Sequence, residues 1–202
     1  MKSKINSIYR FKDGKRVYQG DFFSDLELVV YNIDNDELIF DQLLLPYSVV
    51  LSQDCDLESD FKKREEIHYC SDEDSKKRCY NKFLDSILLC PAFLAERLRE
   101  GNHLNELGRT VERINKKDWK KIQNNDNHRY HFIPSENIDK YLSMPDLVID
   151  FKKYYTIPRD YLYFYNNKYK SSLNELVRED LSNRFAYFQS RIGLPNFQNN
   201  KI

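Results

Sequence analysis

Three β-rich runs lie so close together in the first third of the chain that little besides an antiparallel meander can accommodate them. Leu26 to Tyr31 is crowded with β-branched and aromatic residues, and Glu37 to Leu45 sets Leu38, Phe40 and Leu43 among polar neighbours. Tyr47 to Leu51 is short and almost wholly apolar. Asn32 to Asp36 supplies turn-forming residues between the first two runs, and Pro46 separates the second from the third. Alternation marks a strand covered on one face, whereas the unbroken Val49-Val50-Leu51 marks one covered on both. Ser86 to Cys90 is a second buried run. Such spacing predicts a meander closing into a small, mostly antiparallel β-barrel.

Helical signals follow, so the fold class expected is α+β. The barrel strands are expected within 16–59 and 86–90. Residues 60–85, rich in Lys, Arg, Glu, Asp and Ser, read as a charged insertion or mobile loop with a helical piece near Phe61 to Glu66. Pro91 is placed to open a helix with Phe93, Leu94 and Leu98 on one face and Gly101 as its stop, and Arg109 to Gln123 reads as another. The segment 91–123 is therefore predicted helical. Later strands are expected within 129–157, at Arg129 to Ile133, Leu147 to Phe151 and Tyr154 to Ile157. A last helix is predicted over 172–192. Ser172 and Glu175 form a capping box, Leu173, Leu176, Val177, Leu181, Phe185, Phe188 and Ile192 recur at helical spacing, and Gly193 with Pro195 ends it. At 202 residues the whole, 1–202, fits one domain.

Charge sharpens the picture. The chain has 32 basic and 32 acidic residues, yet Val17 to Phe61 holds eleven acidic side chains and neither Lys nor Arg. A polyanion would be repelled by that third and tolerated only by the rest. No stretch approaches the apolar length of a membrane helix, and Met1 to Arg16 lacks the apolar segment of a secretory signal, so a cytoplasmic location is expected. Cys55, Cys70, Cys79 and Cys90 then read as thiols rather than disulfides. Their spacing matches no compact zinc module, although His68, Cys70, Cys79 and Cys55 make up a four-ligand set in composition.

Two clusters carry candidate chemistry. Ser52-Gln53-Asp54-Cys55-Asp56 directly follows the buried strand, a position that fixes polar groups in space. It admits a hydrolase or phosphoryl-transfer site with Asp54, Cys55 and Asp56 catalytic and Ser52 and Gln53 positioning. In an extended segment Asp54, Asp56, Glu58 and Asp60 would share a face and offer oxygens to a divalent cation, although no cofactor is expected. A buried, structural Cys55 with the aspartates in an Asx-type turn is the architectural reading. The second cluster is basic: Arg113, Lys116, Lys117, Lys120 and Lys121 form a helical stripe beside Trp119, with Arg129 and Tyr130 following. Cations beside an aromatic suit single-stranded nucleic acid or an acidic protein, while a solvated helix with Trp119 docked in the core is the alternative. Tyr154, Tyr155, Tyr161, Tyr163, Tyr165 and Tyr169 add either a contact surface or core packing.

Gly20-Asp21-Phe22-Phe23, Leu45-Pro46-Tyr47-Ser48-Val49-Val50-Leu51-Ser52 and Ile87-Leu88-Leu89-Cys90-Pro91 resemble, in order, motifs of PemK/MazF-type toxins. The likeness implies an SH3-like barrel and a degenerate ribonuclease: that family uses an early-loop Arg and a Thr or Ser after the later Pro. Here Val17 to Phe61 contains no Arg, and Ala92-Phe93 follows Pro91. The Ser-Gln-x-Cys-Asp segment is also similar to one in uncharacterised bacterial proteins, which implies no activity. The function expected is a cytosolic, bacterial or phage-related binding or regulatory module contacting protein or nucleic acid.

Overall fold

The computed structural model describes residues 7–12, 14–137 and 143–191. In chain order the elements are β1 (Tyr9–Arg10), β2 (Asp21–Asp34), β3 (Glu37–Val50), α1 (Asp54–Glu66), α2 (Glu73–Tyr80), β4 (Ser86–Leu94), α3 (Ala95–Glu100), α4 (Lys116–Gln123), β5 (Tyr130–Ile133), β6 (Glu136–Asn137), β7 (Ser143–Met144), β8 (Leu147–Asp150), β9 (Tyr155–Pro158), α5 (Arg159–Phe164), β10 (Tyr169–Leu173) and α6 (Glu175–Gln189). The main sheet runs β1-β10-β2-β3-β4-β8-β5, and every pairing is antiparallel. It curls into a half-barrel within an α+β chain. The curl has a visible cause at β4, whose outer edge forks: Ser86 to Leu89 pairs with β9, and Ala92 to Leu94 pairs with β8.

Adjacent residues of the central strands enter opposite cores. Phe22, Val49 and Cys90 pack with Leu173 and Leu181 under α6, while Phe23, Val50 and Leu89 pack with Leu57 of α1 and Leu162 of α5. A strand covered on both faces has no polar side to alternate with, hence the continuous apolar runs. A third cluster docks α3 and α4 through Phe93, Leu98, Trp119, Ile122 and Val148.

β2 and β3 form a hairpin far longer than three short strands would allow. Pro46 does not divide the second strand, because no third strand asks for its missing N–H there. The turn is only Asn35-Asp36, at φ 48° and 64°, a left-handed pair that Asn and Asp adopt more readily than other non-glycine residues. Asp25, opposite Pro46, also stands at φ 54°. It re-phases the strand so that Phe23 and Leu26, three apart, reach the same core.

Several expected boundaries move. The segment 52–59 is no extended strand, since α1 begins at Asp54, whose charge with that of Asp56 suits a helix N-terminus. The alternation that would put Asp54, Asp56, Glu58 and Asp60 on one face is lost. The charged insertion 60–85 is mostly helical. Asp72 caps α2 by accepting from the Ser75 amide at 2.8 Å, and Lys62–Glu58, Lys63–Glu66, Lys76–Glu73 and Lys77–Asp74 pairs span single turns. Leu57 of α1, just before the insertion, and Cys79 of α2 are the buried apolar anchors of these two helices. Pro91 does not start a helix. It lies inside β4 opposite Ser48, where the outer edge passes from β9 to β8 and neither strand needs its N–H.

Within 91–123 only Ala95–Glu100 and Lys116–Gln123 are α-helical. Gly101 follows α3 at φ 81°, and a Cβ there would meet the Val111 carbonyl oxygen at 2.1 Å. Asn115 caps α4 by accepting from the Asp118 amide at 3.0 Å. Ser172 is no helix cap: it belongs to β10 and donates to Asp21, and Asn174 caps α6. Ile192, Gly193 and Pro195 lie outside the described residues.

Candidate functional site

The Ser52–Asp56 segment joins a strand to a helix, and its polar groups serve that junction. Ser52 Oγ accepts from the Leu88 amide at 2.9 Å, and the Gln53 carbonyl accepts from the Leu57 amide at 3.1 Å as the first bond of α1. Asp54 ties three segments together: Arg16 pairs with it at 2.8 Å, Arg178 of α6 lies at 3.9 Å, and the Gln19 amide donates to it at 3.3 Å. Cys55 is exposed, which corrects the buried reading; on the first turn of α1 it stands off the face that Leu57 buries. Its Sγ lies 3.7 Å from Gln53 Oε1 and 3.9 Å from Asp56 Oδ1. Among the described residues no histidine bonds to this cluster, and no three His, Cys, Asp or Glu side chains are grouped to hold a metal ion. The four-ligand set of His68, Cys70, Cys79 and Cys55 is not assembled. Cys55 sits at one end of α1, and a helix rising ~1.5 Å per residue carries the chain away from it.

The basic stripe stands on α4 and beyond, but its aromatic is withdrawn. Trp119 is only 8% exposed, edge-on to Phe132 at 6.3 Å and covered by Arg99 at 5.8 Å. Lys116, Lys117 and Lys120 are exposed, whereas Lys121 pairs with Asp118 and Arg113 with Glu100. Arg129 makes two 2.7 Å bonds to the buried Asp150 and stacks over Tyr130. That carboxylate raises the pKa of the guanidinium. The tyrosines mostly hold the second core: Tyr155 donates to Ser48 Oγ at 2.6 Å, Tyr163 lies under Arg159, and Tyr169 lies under Lys12.

Sequence reasoning missed the concavity at the root of the β2–β3 hairpin. A cavity of about 410 Å³ opens where Leu28, Leu43 and Leu45 face Phe93 and Leu94 of β4 and Leu104 of the following loop. Arg97, Arg109 and Lys153 reach its wall. Asp41 and Glu106 also line it. His103 lies edge-on to Phe93 at 4.8 Å, with Nδ1 buried and unpartnered among the described residues. Burial lowers its pKa, Asp150 pulls upward, and Lys153 and Arg129 add to the lowering, so the ring is held neutral. No local signal marks this site, because its cations stand on α3, on the loop before α4 and on the turn after β8. They meet only through the fork of β4.

No family model, curated protein or solved structure matches the chain.

Proposed function

We propose that the protein is a binding module, built on an SH3-like half-barrel, whose site is the cavity at the root of the hairpin. Its ligand is a small amphipathic anion. One observation carries this reading: an apolar concavity whose wall holds three cations, Arg97, Arg109 and Lys153, against two carboxylates, Asp41 and Glu106. Such sites bury the ligand's apolar body and orient it through a few placed polar groups. The anionic head is assigned to the three cations, and neutral His103 offers one further hydrogen bond. Four free thiols support a cytoplasmic setting.

Titration with 8-anilinonaphthalene-1-sulfonate tests it. Saturable one-to-one binding is expected, weakened about tenfold in Arg97→Glu (a charge-assisted bond is worth about 1.5–3 kcal/mol) and abolished by Leu43→Trp, which fills the cavity. Because the hairpin tip is also apolar, Tyr31→Ser/Phe40→Ser serves as control and should leave the saturable phase intact. Non-saturating fluorescence, or loss only in that control, removes the reading.

A second reading is favoured by the tip itself. Val29, Tyr31, Ile33, Leu38, Phe40 and Leu44 are all exposed on a hairpin without a single cation, a surface suited to a basic, apolar protein segment. A photo-crosslinker at position 33 should then label a partner at a segment rich in Lys and Arg; labelling confined to acidic or random sites would reject it.

A further inference from the structure

Cys70 and Cys79 have no place in the proposed cavity, yet they are brought together within the charged helical insertion. Cys70 ends the 3₁₀ turn Ile67–Tyr69, and Cys79 lies in the last turn of α2. Their Sγ atoms are 3.8 Å apart, each the other's nearest recorded thiol. A disulfide needs ~2.05 Å, so bonding requires closure well within the reach of side-chain rotation and a small backbone adjustment. The other two thiols are elsewhere: Cys55 is exposed at the start of α1, and Cys90 is buried in the sheet, bonded to the Asp150 carbonyl at 3.0 Å.

The two sulfurs are not equivalent. Cys70 is half-buried and within reach of solvent, whereas Cys79 is buried. Burial first, then the Cys70 thiol beside it, raises the pKa of Cys79, and Glu66 pushes the same way while Lys63 opposes. Lys63 and Glu66 of α1, themselves paired, are with Lys76 of α2 the charged groups that face the thiols. An accessible thiol in front of a shielded one is the arrangement of an attacking and a resolving cysteine.

We propose that Cys70 and Cys79 form a reversible dithiol–disulfide site whose co-reactant is a low-molecular-weight disulfide of the glutathione class. The Cys70 thiolate attacks one sulfur of oxidised glutathione; a bond forms between Cys70 Sγ and that sulfur, and one glutathione thiolate leaves. The Cys79 thiolate then attacks Cys70 Sγ, forming the intrachain disulfide and releasing the second glutathione thiolate. The protein loses two electrons and two protons, and oxidised glutathione becomes two reduced molecules. The bond closes a loop of eight intervening residues, Ser71 to Arg78, and ties α2 to the end of the α1 segment. Transient bonds of this kind are the ones that reducing compartments permit.

The full chain is equilibrated across a series of reduced-to-oxidised glutathione ratios, quenched with acid, alkylated and mapped by mass spectrometry. Wild type should pass to a species lacking two hydrogens, with the cross-link between the Cys70 and Cys79 peptides, and return to dithiol on adding reduced glutathione. Cys79→Ser should arrest as the mixed disulfide on Cys70, and Cys70→Ser should leave Cys79 at least tenfold slower to modify than Cys70 in wild type. Glutathione held on Cys55 with no 70–79 cross-link in wild type overturns the proposal, as does equal reactivity of both thiols. The wild-type cross-link alone decides the matter if either variant fails to fold.

Discussion

The two halves of the β2–β3 hairpin share strands, register and composition, yet only one half is inside the protein. At the root Phe22 pairs with Val49, Phe23 with Ser48 and Leu26 with Leu45, in burial that is nearly complete. At the tip Tyr31 pairs with Phe40 and Ile33 with Leu38, and these side chains are 65%, 60%, 78% and 56% exposed. Neighbouring strands account for the difference. β10 pairs with β2 only at Asp21 to Phe23, and β4 pairs with β3 only at Tyr47 to Val50, so beyond Leu26 and Leu45 the hairpin has no described strand beside it. Cross-strand pairs such as Tyr31–Phe40, with rings 5.3 Å apart, contribute only ~0.2–1 kcal/mol each. A hydrophobic strand pattern thus specifies pairing, while burial is conferred by whatever lies alongside.

The contrast breaks most readily at the root. Phe23→Ala should cost ~3–5 kcal/mol in urea unfolding, the cost of opening a cavity in a packed core. Asp21→Ala should cost a similar ~3–5 kcal/mol, because it strands the buried Lys12 ammonium that Asp21 pairs with. Burial raises the Asp21 pKa more than Lys12 lowers it, so wild type gains stability as pH falls through that raised pKa toward the ordinary 3.8, and the loss in the variant should grow there. A loss below about 1 kcal/mol in either variant would mean that the root is not the stabilising half.

The core beneath the root, where Phe151 packs with Phe22 and Val49, should also impose a pH dependence that the tip lacks. His131 on β5 is 2% exposed, and burial, aided by Arg184, lowers its pKa from 6.5 to about 3. The exposed Asp180, at 4.0 Å, is too far for a hydrogen bond and does not offset this. A depressed native pKa means stability that is complete above about 6.5 and lost as pH falls toward 3. The slope should approach ~1.4 kcal/mol per pH unit, and His131→Gln should flatten it. An unchanged slope in the variant would assign the acid response elsewhere.

At the tip the effects should be small. Phe40→Ser should change global stability by less than ~1 kcal/mol while accelerating amide exchange in 29–42, because only the hairpin's own pairing is lost. Asp36→Gly should slow that exchange slightly, since glycine adopts φ 64° without the cost Asp bears there. A global effect above 2 kcal/mol from either change would show that the tip packs on the body in solution.

Legibility follows the same divide. The buried strand end at Val49 and Val50, the Gly101 position after α3 and the turn between β2 and β3 are written in residues close together in the chain, whose φ preferences and side-chain period act locally. Local rules failed where two of them competed. Pro91 satisfies a helix-start signal, yet it lies in β4 because the fork leaves its missing N–H unneeded; Ser172 has the spacing of a cap, but the buried Asp21 claims its hydroxyl. The insertion reads as a loop in sequence because so few of its side chains are apolar, though single-turn ion pairs and one anchored face suffice for helices. Cys55 and Trp119 illustrate the limit for side chains: burial of the first and exposure of the second were both plausible from sequence, and the reverse is found.

By itself the sequence determined an antiparallel β framework with helices, acidic in its first third, because alternation, turn residues and charge are properties of neighbouring residues. Tertiary structure alone decided which half of the hairpin is buried, that Arg97, Arg109 and Lys153 meet over one apolar cavity, and that Cys70 comes to Cys79. The reason is that burial, cavity shape and the meeting of distant side chains depend on which surfaces pack together, and no local period in the chain encodes that choice.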